Sequence, residues 1–460
     1  MNSSATNWRR RVKWLAGLIG LVMSAWLISM WAEWLPPITE QQQAALQMMR
    51  AGNQDAVGQR NAWSLFWLLP YEIPAAERAD VLKRDIAELN ALSAEPDDET
   101  GFESSAEGRY PRRWAKQAPA HRFCADDGDC LAQVRADRAA AAAELAGAEA
   151  ELRALRELGD YDHLAIPHRV SHASPIPPFG RAFALQLLDA ALRFEAGEID
   201  IALAGLCSDS LAWRRLKGKA DNLIFEMVNI RVQQRALNLY AAMRAELPAE
   251  HGVPAVCRQA FAAPSDDERQ SCDVFRLEFQ LQERLFEPGG FEAFHASDSD
   301  GQWLRTIGTE LLINQEATLA LGAERLAQTC AAIQLPSAEM RADRRVESAG
   351  CALLGRIFNP MGCVLADVAA PDYQTYLLRD RDWQGRLQAF QVAEWLATQA
   401  DPTSAWAARP ANMRQIEQAL TLSAGVLNMQ LLRPFGRQPP DWQLPLPASR
   451  VAARTAPSAH

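Results

Sequence analysis

The sequence lacks most of the patterns that announce chemistry. There is no G-x-S-x-G elbow, no phosphate-binding loop, no G-x-G-x-x-G and no H-E-x-x-H. Serine-hydrolase, nucleotide, dinucleotide and HExxH metalloprotease readings therefore have no anchor. No C-x-x-C occurs among the eight cysteines, which removes the usual signature of zinc ribbons and thioredoxin-like redox sites. Lysine is scarce: arginine supplies most of the positive charge, scattered along the chain, and the net charge is −10. A nucleic-acid partner is excluded on that ground, because neutralising phosphates requires a basic face. Sustained period-two alternation of apolar and polar residues is missing as well, so strands are not expected.

What is present starts at the N-terminus, with "WRRRVKWLAGLIGLVMSAWLISMWAEWLPP". Trp14 to Ala32 is 19 residues without a charge, close to the ~20 that a helix needs to cross ~30 Å of hydrocarbon. Arg9, Arg10, Arg11 and Lys13 precede it and Glu33 follows, which keeps the N-terminus cytoplasmic and exports the rest. The exit, Met30-Trp31-Ala32-Glu33-Trp34, lacks the small residues of a cleavage site. Trp14, Trp31 and Trp34 sit at the two interfaces, and Pro36-Pro37 stops the helix outside. The expectation is a retained single-pass anchor in a bacterial inner membrane, with the bulk of the chain periplasmic.

The cysteines fit that address, since an even number in an oxidising compartment reads as a disulfide framework. Cys124 and Cys130 bracket the turn-prone "ADDGD". Cys257 and Cys272 bracket a stretch broken by Pro264, so a helix-turn-helix stapled across its turn is expected there. Cys207, Cys330, Cys351 and Cys363 carry no local signal that pairs them.

With 48% hydrophobic and 23% charged residues, the chain has the composition of an ordered globular protein. Its pattern is helical nearly throughout, so the expected fold class is all-α: one transmembrane helix, then a hairpin-built, disulfide-held periplasmic region. The expected organisation begins with a cytoplasmic basic tail at 1–13, the anchor at 14–32, and juxtamembrane helices over 33–94. The polar run 95–120 reads as a mobile loop. Residues 121–174 read as a long helical hairpin region closed by the Pro-rich "ASPIPPFG". The main helical domain follows at 175–424, and an extended or disordered tail at 425–460. Within the main domain, "LQLLDAALRFEAGEIDIALAGLC" reads as helix, Gly197 stop, helix. "CALLGRIFNPMGCVLADVAAP" is nearly long and apolar enough for a second span, but Arg356 and Asp367 make two short buried helices meeting at Asn359-Pro360 the better reading.

One cluster suggests metal chemistry. "DYDHLAIPHRVSH" places His163, His168 and His172 close together with Asp160 and Asp162. His168 and His172 have the spacing of paired ligands on a helix, and zinc is the metal such a set would hold. Pro167 and the following prolines argue for a loop instead.

The run from Cys257 to Cys272, with "YDH" upstream and "NPMG" and "APDYQTY" downstream, resembles large membrane-anchored envelope proteins of xanthomonad-type bacteria. That resemblance implies the envelope address and a helical body, and no activity. The functional expectation is a binding or scaffolding role for an envelope protein partner. A metal-dependent periplasmic hydrolase using the histidines is the first alternative, and an immunity-type protein against an envelope-targeting toxin the second.

Overall fold

A computed structural model describes residues 13–21, 24, 28, 37–51, 60–94, 102–116, 121–125, 128–170, 174–248, 250–265, 268, 272–286, 313–342, 351–368, 373–436 and 438–446. The chain divides into two compact units. One comprises residues 1–52, 279–334 and 341–373; the other comprises 53–278, 335–340 and 374–460.

The described residues are mostly helical. In chain order the helices are α1 (Glu40–Arg50), α2 (Trp63–Leu68), α3 (Arg78–Ala94), α4 (Cys130–Ala136), α5 (Arg138–Gly147), α6 (Glu149–Leu155), α7 (Phe179–Glu195) and α8 (Ile199–Arg215). They continue with α9 (Leu223–Ala245), α10 (Ala255–Ala260), α11 (Val274–Leu285), α12 (Gln315–Ala332), α13 (Ser337–Ala342), α14 (Leu353–Phe358), α15 (Pro360–Val368), α16 (Tyr373–Ala397) and α17 (Pro402–Ala407).

In the first unit α1 packs on α12, and α12 on α15. Thr39 opens α1 with a capping box: its hydroxyl accepts from Gln42 N–H, and the Gln42 side chain accepts from Thr39 N–H. Arg50 at the other end pairs with Glu283 and Glu316. The Asn359-Pro360 junction divides α14 from α15, as expected. Asn359 uses its side chain to accept from Asn314 N–H at 2.8 Å and to donate to Thr318 at 3.0 Å. A Cys351–Cys363 disulfide ties the two short helices together.

The second unit is built on two aromatic clusters. Phe66, Phe179, Trp213 and Phe225 join α2, α7, α8 and α9. Tyr240, Phe261 and Phe390 join α9, the end of α10 and α16. The expected hairpin is there: α7 ends, Gly197 adopts a left-handed φ of 83°, and α8 runs back. Glycine suits that stop because it meets no Cβ penalty in this conformation.

Three expectations need correction. The helical hairpin region expected at 121–174 is broken into three short helices after Cys130, α4 to α6: Asp137 leaves helical geometry and caps α5 through Ala140 N–H, and Ala148 leaves it between α5 and α6. Residues 102–116, expected as a mobile loop, are tied down by a buried carboxylate. Asp85 accepts from Trp67 Nε1 (2.8 Å), Ser104 Oγ (2.6 Å) and Ser105 N–H (2.8 Å). Replacing Asp85 by alanine will cost about 3 kcal/mol, from the lost charge-assisted bonds and the stranded donors. Trypsin will then cut at Arg109, Arg112 and Arg113 far faster than in the wild type, and an unchanged cleavage rate would refute this account.

The third correction concerns the all-α expectation. Strands β1 (Leu420–Ser423), β2 (Val426–Gln430) and β3 (Asp441–Pro445) form an antiparallel sheet in that order. It straddles the expected boundary between main domain and extended tail. Ala424 and Gly425 both take positive φ, 50° and 76°, the geometry of a tight hairpin turn whose twist matches the strands. Leu427, Met429, Trp442 and Leu444 are buried on one face, and β3 packs on α9. This alternation spans only a few residues per strand, too short to stand out in the sequence.

Among the described residues no helix is long and apolar enough to cross a membrane. Of the expected anchor at 14–32, residues 14–21, 24 and 28 are described; they are helical and leave Trp14, Leu15, Leu18, Ile19, Leu21 and Ile28 exposed.

Candidate functional site

Two of the histidines of the expected metal cluster, His163 and His168, are engaged elsewhere. His163 is buried, its carbonyl accepts from Ala62 N–H at 2.9 Å, and its Nδ1 lies 3.0 Å from the Asp162 carboxylate. His168 stands edge-on to Trp63 at 5.5 Å and donates Nδ1–H to the Arg169 carbonyl at 3.0 Å. Burial pushes the His168 pKa down, so the ring packs as neutral imidazole. His172 lies outside the described residues. Among the described residues no group of three or more His, Cys, Asp or Glu side chains is placed to hold a metal ion.

The four cysteines singled out are all oxidised, but not all as expected. Cys124 pairs with Cys130 across the turn. Cys257 pairs with Cys207, not with Cys272, because α10 packs against α8 and brings Cys257 onto that helix. Cys272 and Cys330 are also disulfide-bonded.

A cleft that sequence reasoning missed lies along the α7–α8 hairpin, with a volume of about 690 Å³. Small residues make the room: Ala190 on α7, and Ala202, Gly205 and Ala212 on α8. Polar side chains then converge on it. Gln186, Asp189 and Arg193 recur at three- and four-residue steps along α7, so they share a face. Asp209 projects from α8, and Arg156 and Arg215 stand at the rim.

The ion pairs are shared. Asp189 Oδ1 takes Arg193 Nε at 3.0 Å, and Asp189 Oδ2 takes Arg156 at 3.2 Å. Gln186 is buried and accepts from Trp213 Nε1 at 3.1 Å. Its amide also lies beside Asp209 and favours the charged carboxylate there. Burial nevertheless pushes Asp209 up to about 7, with the neighbouring Asp189 charge adding to the rise. A second hollow of about 480 Å³ continues from the same wall of Arg156, Asp189 and Arg193, and adds Arg138, Glu149 and Arg153. Concave space, a few convergent polar groups and a perturbed carboxyl make this the best-formed candidate site among the described residues.

Asp209 yields a pH prediction. Its folded pKa of about 7 exceeds the ordinary 3.8, so the folded state holds the proton more tightly than the unfolded chain. The stability linked to this group is present below pH 4 and is lost as pH rises towards 7. Asp209→Asn abolishes that dependence. Thermal melts will show the variant gaining most over wild type at pH 8 and least at pH 4; equal differences at both would refute the assignment.

Asp189 and Asp209 are twenty positions apart in "LDAALRFEAGEIDIALAGLCSD". No motif links them, and only the hairpin sets them across one cleft. Comparison with protein-family models, with curated proteins and with solved structures finds no match to this chain.

Proposed function

We propose that the chain is an inner-membrane-anchored, periplasmic binding protein whose helical body holds an envelope partner. The observation that carries the binding reading is the two-part groove along α7 and α8, with its arginine-rich wall and half-buried Asp209. Oxidised cysteines support an exported body, since disulfides persist outside the reducing cytoplasm. The exposed Trp14, Leu15, Leu18, Ile19 and Leu21 support the anchor, because such a surface favours lipid over water.

In-cell photo-cross-linking from positions 201, 215 and 153, on the walls of the two-part groove, tests the reading, with the same probe at exposed Arg122 as the control. One dominant envelope protein captured from the groove positions, and not from position 122, is the expected result. Equal, diffuse capture from every position would refute it. A periplasm-active reporter fused after residue 460 checks the topology separately.

Asp209 favours a second reading. A carboxyl with a pKa near 7 is poised to give and take protons at physiological pH, as a general acid in a hydrolase must. In that case Asp209→Asn would abolish turnover while leaving ligand binding in place. The metal-dependent alternative draws no support from His163 and His168, which are engaged in packing and hydrogen bonds.

A further inference from the structure

The stretch "CALLGRIFNPMGCVLADV" reads in the sequence as two short buried helices. The structure forms both, as α14 and α15, but turns them inside out. Their large apolar side chains Leu353, Leu354, Ile357, Met361 and Val364 are 42–74% exposed. The side that packs inward carries Gly355, Asn359, Gly362 and Cys363. Asn359 is fully buried and bonds to Asn314 and Thr318. Gly362 lies so close to Thr318 and Asn359 that a Cβ there would have no room. A surface helix in water does the reverse, with large apolar residues inward and polar ones outward. An exposed apolar patch of this kind marks a surface that meets something other than water.

Three observations identify what it meets. The first is its place. α1 opens at Glu40, eight positions after Ala32 at the end of the apolar N-terminal run, and eight extended residues reach at most ~28 Å. α1 packs on α12 and α12 on α15, all within the first compact unit. The patch therefore belongs to the body tethered next to the expected anchor. The second is size. α14 and α15 have six and nine residues, far short of the ~20 that cross a bilayer. The Cys351–Cys363 disulfide closes the pair into a loop that cannot straighten into one span. The third is charge. Arg356 is the only charged residue between Glu347 and Asp367; it is exposed and makes no ion pair among the described residues. An arginine stem can lie along an apolar surface while its guanidinium reaches a phosphate.

We infer that α14 and α15 form a membrane-surface contact, lying in the headgroup–acyl boundary with Leu353, Leu354, Ile357, Met361 and Val364 toward the acyl chains and Arg356 at the phosphates. Interfacial helices of this type bind by burying an apolar face without spanning. The inference rests on the anchored reading above for the position of the bilayer. It adds a second point of attachment, which fixes how the first unit sits on the membrane where a single flexible tether would leave it free to turn.

The test places a fluorescent amino acid at position 357 or 364 of the full chain, reconstituted in vesicles of phosphatidylcholine and phosphatidylglycerol. Position 18 in the expected anchor and exposed position 122 are probed in the same way. Phospholipids with a quenching nitroxide near the top or near the end of the acyl chain report depth. The expected result is loss of most of the fluorescence at 357 and 364, stronger with the shallow label than with the deep one, and none at 122. Should a probe at 357 prevent folding, position 361 gives the same comparison. Quenching at 18 without quenching at 357 and 364 would overturn this inference and leave the anchor standing. Quenching at 357 and 364 without quenching at 18 would uphold it and remove the anchor. Silence toward lipid at all three would overturn both. Silence at 357 and 364 that turns into protection as protein concentration rises would assign the patch to a second copy of the chain, and so would also overturn it.

Discussion

Replacing Lys217 by methionine will destabilise the protein by about 3–5 kcal/mol, the usual cost of removing one partner from a buried ion pair. Lys217 follows α8 and is fully buried, as is Glu226 on α9. Its Nζ lies 2.8 Å from Asp380 of α16, donates to the Glu268 carbonyl at 3.0 Å, and stands 4.8 Å from the Trp383 ring centre. Burial works against the ammonium, but the charges of Asp380 and Glu226 outweigh it and hold the lysine above its ordinary range. Burial pushes Glu226 upward, with Lys217 opposing. Methionine would leave two carboxylates facing each other without a cation. The triple variant Lys217→Met, Glu226→Gln, Asp380→Asn removes all three charges and should recover most of the loss. Urea denaturation of the three proteins decides it: a single variant as stable as wild type would show that the lysine is not the hub of this network.

The network extends beyond those three groups. Arg214 donates to the carbonyls of Ala260 (2.9 Å), Ala262 (2.8 Å) and Ala263 (3.2 Å), and pairs with Glu268. Trp383 Nε1 donates to Gln233 at 3.2 Å, and Asn229 Nδ2 donates to the Trp213 carbonyl at 2.7 Å. Segments from α8, α9 and α16 therefore meet through polar groups that have partners only in this arrangement. A mismatched packing would strand several of them at once, which is how such a network selects one register.

The Cys207–Cys257 bond should contribute more than any other disulfide whose pairing is described above. Its partners are 50 residues apart, against 6 for Cys124–Cys130 and 12 for Cys351–Cys363. On a loop-entropy argument, a 50-residue closure stabilises by about 4 kcal/mol, and a 6-residue closure by about 2 kcal/mol. Cys207→Ala with Cys257→Ala should lower the denaturation midpoint about twice as far as the same change at Cys124 and Cys130. Equal losses would mean that native packing, not the unfolded chain, sets the contribution.

These two predictions concern residues that the sequence makes hard to single out. Lys217 sits in "RRLKGKAD", which reads as the solvated, charged end of a helix. Its burial depends on Asp380 and Trp383, more than 160 positions away, and no local pattern carries that information. Cys257 has Cys272 as its nearer neighbour along the chain, so proximity in sequence favours the wrong bond.

By itself the sequence determined what depends on neighbours a few residues apart. The α7–α8 hairpin with its Gly197 stop, the break between α14 and α15 at Asn359-Pro360, the Cys124–Cys130 bond and the predominance of helix all follow from local spacing and backbone preference. Tertiary structure decided the rest: the Cys207–Cys257 bond, the buried Lys217 network, the small β-sheet, and the meeting of Asp189 with Asp209 in one cleft. Helical periodicity specifies which face of a segment is apolar, and the faces of several helices are nearly alike in that respect. Which face meets which is settled only when side-chain shapes and buried hydrogen bonds are satisfied together, and those terms join residues far apart in the chain.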